Sequence, residues 1–111
     1  MSGNAIAPGN IYWLIPQEDG QISHPHIVIQ IEGDVITLCA LTTNRRKLSI
    51  PGNILLDEGE GNLPKHSIVE VSKVKRVSAE ELADYVGMLS PQRIEQILAG
   101  IQFVQTSFLK K

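Results

Sequence analysis

The sequence has a single cysteine, Cys39, in 111 residues. No disulfide can form within the chain, so packing must hold the fold, and the composition suits a reducing compartment. Aromatic residues are scarce, at 5%, so the core has to be built mainly from Ile, Leu and Val. No apolar run reaches the roughly 18 residues of a membrane-spanning helix, and no contact with a membrane is expected. The opening residues Met1-Ser2-Gly3-Asn4-Ala5-Ile6 lack the charged and apolar regions of a secretory signal, so a cytoplasmic location is expected. The chain also lacks the basic surplus of a dedicated nucleic-acid binder, its net charge being −2.

What is present is a hydrophobic fraction of 42%, enough for one core. The length fits one domain. Residues 1–8 read as a flexible tail of small and polar residues, and residues 9–111 as the domain. Charge is uneven along the chain: Arg45, Arg46 and Lys47 form one basic cluster and Lys73, Lys75 and Arg76 another. Asp57, Glu58 and Glu60 read as solvated loop charges. Local clusters of this kind steer ligands more than net charge does.

Residues 24–43 organise the rest. Two β-rich runs flank Glu32-Gly33-Asp34, a hairpin signal. Alternation along the first run puts Pro25, Ile27, Ile29 and Ile31 on one face and His24, His26, Val28 and Gln30 on the other. The first set reads as the core face, with both histidines on the more accessible side. The second run is apolar on both faces and reads as a central strand ending in Thr42-Thr43. An earlier strand covers residues 11–15. Turn chemistry follows at Glu18-Asp19-Gly20. A short strand is expected over 53–56 and a long one over 67–77. The apolar phase of that long strand slips between Val71 and Val74, which suggests a β-bulge and strong curvature. Curved short strands suit a small barrel.

Two helices are expected after residue 77. Ser78 and Glu81 have capping-box spacing, and the first helix would carry Leu82 and Val86 and stop at Gly87. Pro91 after Ser90 opens the second. Its stripe of Ile94, Ile97, Leu98, Ile101, Val104 and Phe108 reads as packing against the barrel or a partner subunit.

The order of these pieces resembles the PemK/MazF-like toxin family of type II toxin–antitoxin systems. The carrying segments are Gly9-Asn10-Ile11-Tyr12, then His24-Pro25-His26-Ile27-Val28-Ile29-Gln30, then Ala40-Leu41-Thr42-Thr43. Gly61-Asn62-Leu63 leading to Ser67-Ile68-Val69, and Val86-Gly87-Met88-Leu89-Ser90, complete the series. The resemblance spans nearly all of residues 9–105. It implies a mainly β fold, an SH3-like small β-barrel with C-terminal helices, and a homodimer. It also implies metal-independent cleavage of single-stranded RNA by attack of the ribose 2′-OH, with an antitoxin protein as partner and no cofactor. Two family positions differ here: His24 stands where the family has its catalytic arginine, and Asn10 where it has an aspartate.

The site expected from residues and resemblance together is His24, Thr42 and His26 as catalytic groups, with Arg45, Arg46 and Lys47 holding RNA. A histidine pair suits proton transfer near neutral pH. The alternative is a module of the same fold that binds RNA or a protein partner without cutting. For Tyr12 and Trp13, base stacking competes with burial, and at least one of them should be core. Cys39 reads as a small buried apolar residue.

Overall fold

The computed structural model of the protein describes residues 5–16, 19–20 and 23–109, with side chains to residue 106. The Glu18-Asp19-Gly20 turn therefore falls partly outside the described residues, as does the start of the tail. Six strands form one antiparallel sheet: β1 (Asn10–Leu14), β2 (Pro25–Glu32), β3 (Val35–Thr42), β4 (Ile54–Leu56), β5 (Ser67–Val77) and β6 (Leu82–Met88). Among the described residues one α-helix, α1 (Pro91–Leu109), follows. The strand order is β4-β5-β3-β2-β1-β6, which puts β3 at the centre as expected.

Two expectations are corrected. The segment after Ser78 is no helix. Its capping-box carboxylate, Glu81, does accept the Ser78 backbone N–H at 3.0 Å. It closes only a 3-10 turn, Ala79–Glu81, before the chain enters β6 along β1. Local capping started a turn, and pairing with an open sheet edge overrode its continuation. Gly87, expected as a helix stop, is needed instead for close backbone approach: a Cβ there would lie 2.2 Å from the Gly61 carbonyl oxygen. The second concerns the SH3-like small barrel, of which the structure shows the strands and the C-terminal helix. Among the described residues no pairing joins β4 to β6, so the sheet stays open. The turn Glu60–Asn62 lies against β6, and Asn62 Nδ2 donates to the Val86 carbonyl at 3.1 Å.

Two bulges set which side chain faces where. In β2 the register slips between Val28 and Gln30, which moves Ile31 away from Ile27 and Ile29 and into the second of two apolar clusters. In β5, Val74 pairs with Cys39 but the next β3 residue, Ala40, pairs with Glu70. Residues 71–73 are looped out at the phase slip legible in the sequence. The loop-out leaves the Val71 N–H without a ladder partner, and the Asn53 side-chain oxygen accepts it at 3.1 Å.

The first cluster joins Ile11, Ile27, Ile29, Cys39, Leu41, Val69 and Val71 beneath α1, whose Ile97 is fully buried. Ser90 Oγ accepts the Arg93 N–H at 3.3 Å and Pro91 begins the helix, as its sequence signals. Ile94, Ile101 and Val104 also pack here, but Leu98 is 44% exposed, and the Phe108 side chain lies outside the described residues. Gly100 lets the helix touch the Gly52 backbone, since a Cβ would meet the Gly52 oxygen at 2.5 Å. Glu60 is no free loop charge: both its oxygens accept from Arg93, at 2.6 and 3.0 Å, tying the turn before β5 to α1. The second cluster, on the opposite face, is Tyr12, Val28, Ile36, Leu38 and Val77. Ile6 packs against it and the Ala5 carbonyl accepts from Asn10 Nδ2, so residues next to β1 make definite contacts with the body.

Candidate active-site cleft

The second face is only half filled. Beyond Val28 and Leu38 the residues of that face become His26 on β2, Ala40 on β3 and Glu70 on β5, in register with one another. Ala40 is small, and a cleft of about 330 Å³ opens over it, lined by His24, His26, Lys73 and Lys75, with Leu14, Ile15 and Pro16 along one wall. The β5 bulge brings the lysines here. Between Leu38 and Ala40 on β3, the facing strand runs from Lys75 to Glu70. The extra chain crowds Lys73 and Lys75 around one side of Ala40.

His26 Nδ1 lies 2.9 Å from the His24 carbonyl oxygen. A carbonyl only accepts, so Nδ1 carries the proton and Nε2 keeps its lone pair. Burial lowers the His26 pKa below its ordinary value. The bond to His24 opposes this, while the charges of Lys75 and His24 add to it. At neutral pH His26 is thus a neutral imidazole with a basic Nε2, beside two ammonium groups. Lys73 Nζ stands 3.9 Å from the buried Glu70 carboxylate.

The expected site residues separate into three places. His24 and His26 do meet in the cleft. Thr42 is only 9% exposed. Its Oγ1 accepts the Asn44 N–H at 3.2 Å, and Asn44 Oδ1 accepts the Arg46 N–H at 3.1 Å. Thr42 thus launches the 3-10 turn Arg45–Ser49. Continuing the β2–β3 register two residues beyond His26 and Ala40 puts His24 level with Thr42. Arg45, Arg46 and Lys47 all lie on that turn, and Arg45 lines a separate cleft of about 230 Å³ with Thr43, Glu58, Lys65 and His66. The turn is anchored by Asn53 Nδ2 donating to the Lys47 carbonyl at 2.9 Å.

Sequence reasoning did not assign Lys73 and Lys75 to the histidines. The basic cluster and the phase slip were both visible, but their combined effect depends on which β3 residue the bulge faces. Tyr12 is core: its hydroxyl accepts from Asn10 Nδ2 at 3.1 Å and its ring meets Tyr85 edge-on at 5.6 Å. Trp13 is part-exposed. Burial pushes the Cys39 thiol up to about 12, so Cys39 is an inert core residue.

The fold is an open antiparallel sheet with a C-terminal helix, and one face carries a cleft lined by two histidines and two lysines. The model of the PemK-like, MazF-like toxin of type II toxin–antitoxin systems matches residues 7–104, and the chain belongs to this family. It is 25% identical over 109 residues to endoribonuclease MazF2 of Mycobacterium bovis, covering 89% of this chain and 96% of the relative. Endoribonuclease MazF6 of Mycobacterium tuberculosis matches to the same extent. Among solved structures, an endoribonuclease in complex with its cognate antitoxin from a mycobacterial species superposes with a TM-score of 0.73 at 20% identity, over 92% of this chain and 96% of that one. Mycobacterium tuberculosis toxin MazF-mt6 superposes at 0.66 with 16% identity, over 83% and 91%.

Proposed function

We propose that the protein is an endoribonuclease toxin that cleaves single-stranded RNA without a metal, works as a cytoplasmic homodimer and is restrained by an antitoxin protein. The bent sheet, its seam filled by the Glu60–Asn62 turn, would then serve as an opened SH3-like barrel. Family membership supplies the reaction class. The observation that carries the site is the 2.9 Å bond from His26 to the His24 carbonyl, which leaves one basic imidazole nitrogen in a cationic cleft.

In this reading the ribose 2′-oxygen attacks the adjacent phosphorus. The O2′–P bond forms as the P–O5′ bond breaks, giving a 2′,3′-cyclic phosphate and a 5′-hydroxyl. His26 Nε2 takes the 2′-OH proton and the His24 imidazole gives one to the departing 5′-oxygen. The Thr42 hydroxyl already accepts the Asn44 N–H, so its own proton is available to a non-bridging oxygen. Arg45, Arg46 and Lys47 grip neighbouring phosphates from the 3-10 turn, a contribution that weakens with salt.

The test is incubation of the pure protein with a long single-stranded RNA and a chelator. Fragments ending in cyclic phosphate and 5′-hydroxyl are expected, with a rate that rises with pH as His26 loses its proton. RNA left intact throughout the range from about pH 5 to 9, where histidine titrates, overturns the reading.

A further inference from the structure

We propose that Lys75 is a catalytic residue: its ammonium contacts the non-bridging oxygens of the scissile phosphate and supplies the cation that position 24 lacks in this chain. The inference rests on the ribonuclease reading above. Attack at phosphorus concentrates negative charge on the non-bridging oxygens, and a fixed cation there lowers the barrier. Position 24 carries an imidazole, which cannot serve as a permanent positive charge as a guanidinium does. The residues lining the cleft include two permanent cations, Lys73 and Lys75.

These two are not equivalent. Lys73 has the Glu70 carboxylate 3.9 Å away, an opposite charge beside its own, in a pair that water weakens because the Lys73 side chain is 61% exposed. Among the described residues Lys75 makes no ion pair, and its charge acts directly on His26. Lys75 sits opposite Leu38 through the β5 bulge, with small Ala40 leaving the floor of the cleft open between the lysines and His26. A phosphodiester seated on that floor has the basic nitrogen of His26 on one side and the free ammonium on the other. Lys73, with the Glu70 carboxylate beside it, has the smaller share.

The variants are Lys75→Gln, Lys75→Arg and Lys73→Gln in the full chain, each checked by circular dichroism. With single-stranded RNA, Lys75→Gln is expected to lower kcat about a hundredfold, the scale of losing one donor to a developing oxyanion. Lys75→Arg should restore most of it, and Lys73→Gln should cost less than Lys75→Gln. A second readout does not depend on cleavage: titration of inorganic phosphate followed by the His26 ring signals in NMR. Phosphate should bind saturably to the unaltered chain and to Lys75→Arg, and about tenfold more weakly to Lys75→Gln. Cleavage that survives Lys75→Gln within twofold, or falls further in Lys73→Gln, overturns the role of Lys75 while leaving the ribonuclease reading intact. Lysine-dependent phosphate binding with no RNA cut overturns the ribonuclease reading, and with it the catalytic role, leaving only an anion site. Neither cleavage nor phosphate binding overturns both.

Discussion

The two faces of the sheet are made by the same strands and come to opposite ends. On the helix-covered face, Ile27, Cys39 and Val69 lie under Ile97 in one apolar cluster. On the other face their immediate neighbours are His26, Ala40 and Glu70, and His26 and Ala40 line an open cleft. Strand alternation makes this possible, because adjacent residues belong to different environments. The apolar face anchors the backbone, and this lets the opposite face keep a partly desolvated histidine and a buried carboxylate that on their own weaken the fold. The teaching is that stability and chemistry here are separated by one residue step, not by distance along the chain.

That separation can be broken from either side. The largest effect is expected from Ile97→Ala, which removes a fully buried side chain at the centre of the helix-covered face. A loss of about 3 kcal/mol is expected in urea unfolding. The protein that remains folded should keep its cleavage rate, and a rate that falls in proportion would mean that the faces are coupled. His26→Ala attacks the other face. It should lower cleavage about a hundredfold or more, with little change in urea midpoint.

Asn53→Ala extends the comparison, because Asn53 links the helix-covered face to the turn that carries residues 45–47. Its oxygen satisfies the Val71 N–H freed by the bulge and its nitrogen holds the turn that carries residues 45–47. A loss of about 2 kcal/mol is expected from leaving the buried donor unpaired. RNA binding, read by salt-dependent gel shift, should weaken together with it.

The smallest effect is on pH. The folded-state pKa of His26 is lowered, mainly by burial, so the unfolded chain binds the proton more readily. Its contribution is present in full above about pH 6.5 and drains as pH falls through that value toward the folded pKa. Glu60 acts in the same direction at lower pH. Its hydrogen bond to Arg93 depresses its pKa, so its contribution is lost as pH falls below the ordinary carboxylate range. Thermal unfolding between about pH 7 and 5 should therefore show a falling midpoint. In His26→Ala the part of that fall above pH 5 should shrink, and an unchanged fall would assign it to other groups.

Several elements were legible because their signals are local. The 24–43 hairpin, the central place of β3, the short β4 and the start of α1 at Pro91 follow from alternation, turn residues and caps. The β5 bulge was legible as a phase slip. The segment 78–87 misled because a capping box marks only the first turn. Whether a helix continues depends on competing partners, and here β1 offered an unpaired edge. Leu98 misled in a smaller way: it falls within the helix period but at the margin of the buried stripe.

The sequence by itself determined which residues alternate, where the chain turns, and that two histidines share one strand face, since these depend on covalent geometry and near neighbours. Only the tertiary structure decided that Lys73 and Lys75 join those histidines while Arg45, Arg46 and Lys47 are held apart on their own turn. It also decided that Glu60 belongs to Arg93 and that Gly87 lies against Gly61. The physical reason is register. A strand specifies its own faces, but a bulge of a few residues, settled by the pairing of both strands and by Asn53 taking the freed N–H, fixes which distant charges come together.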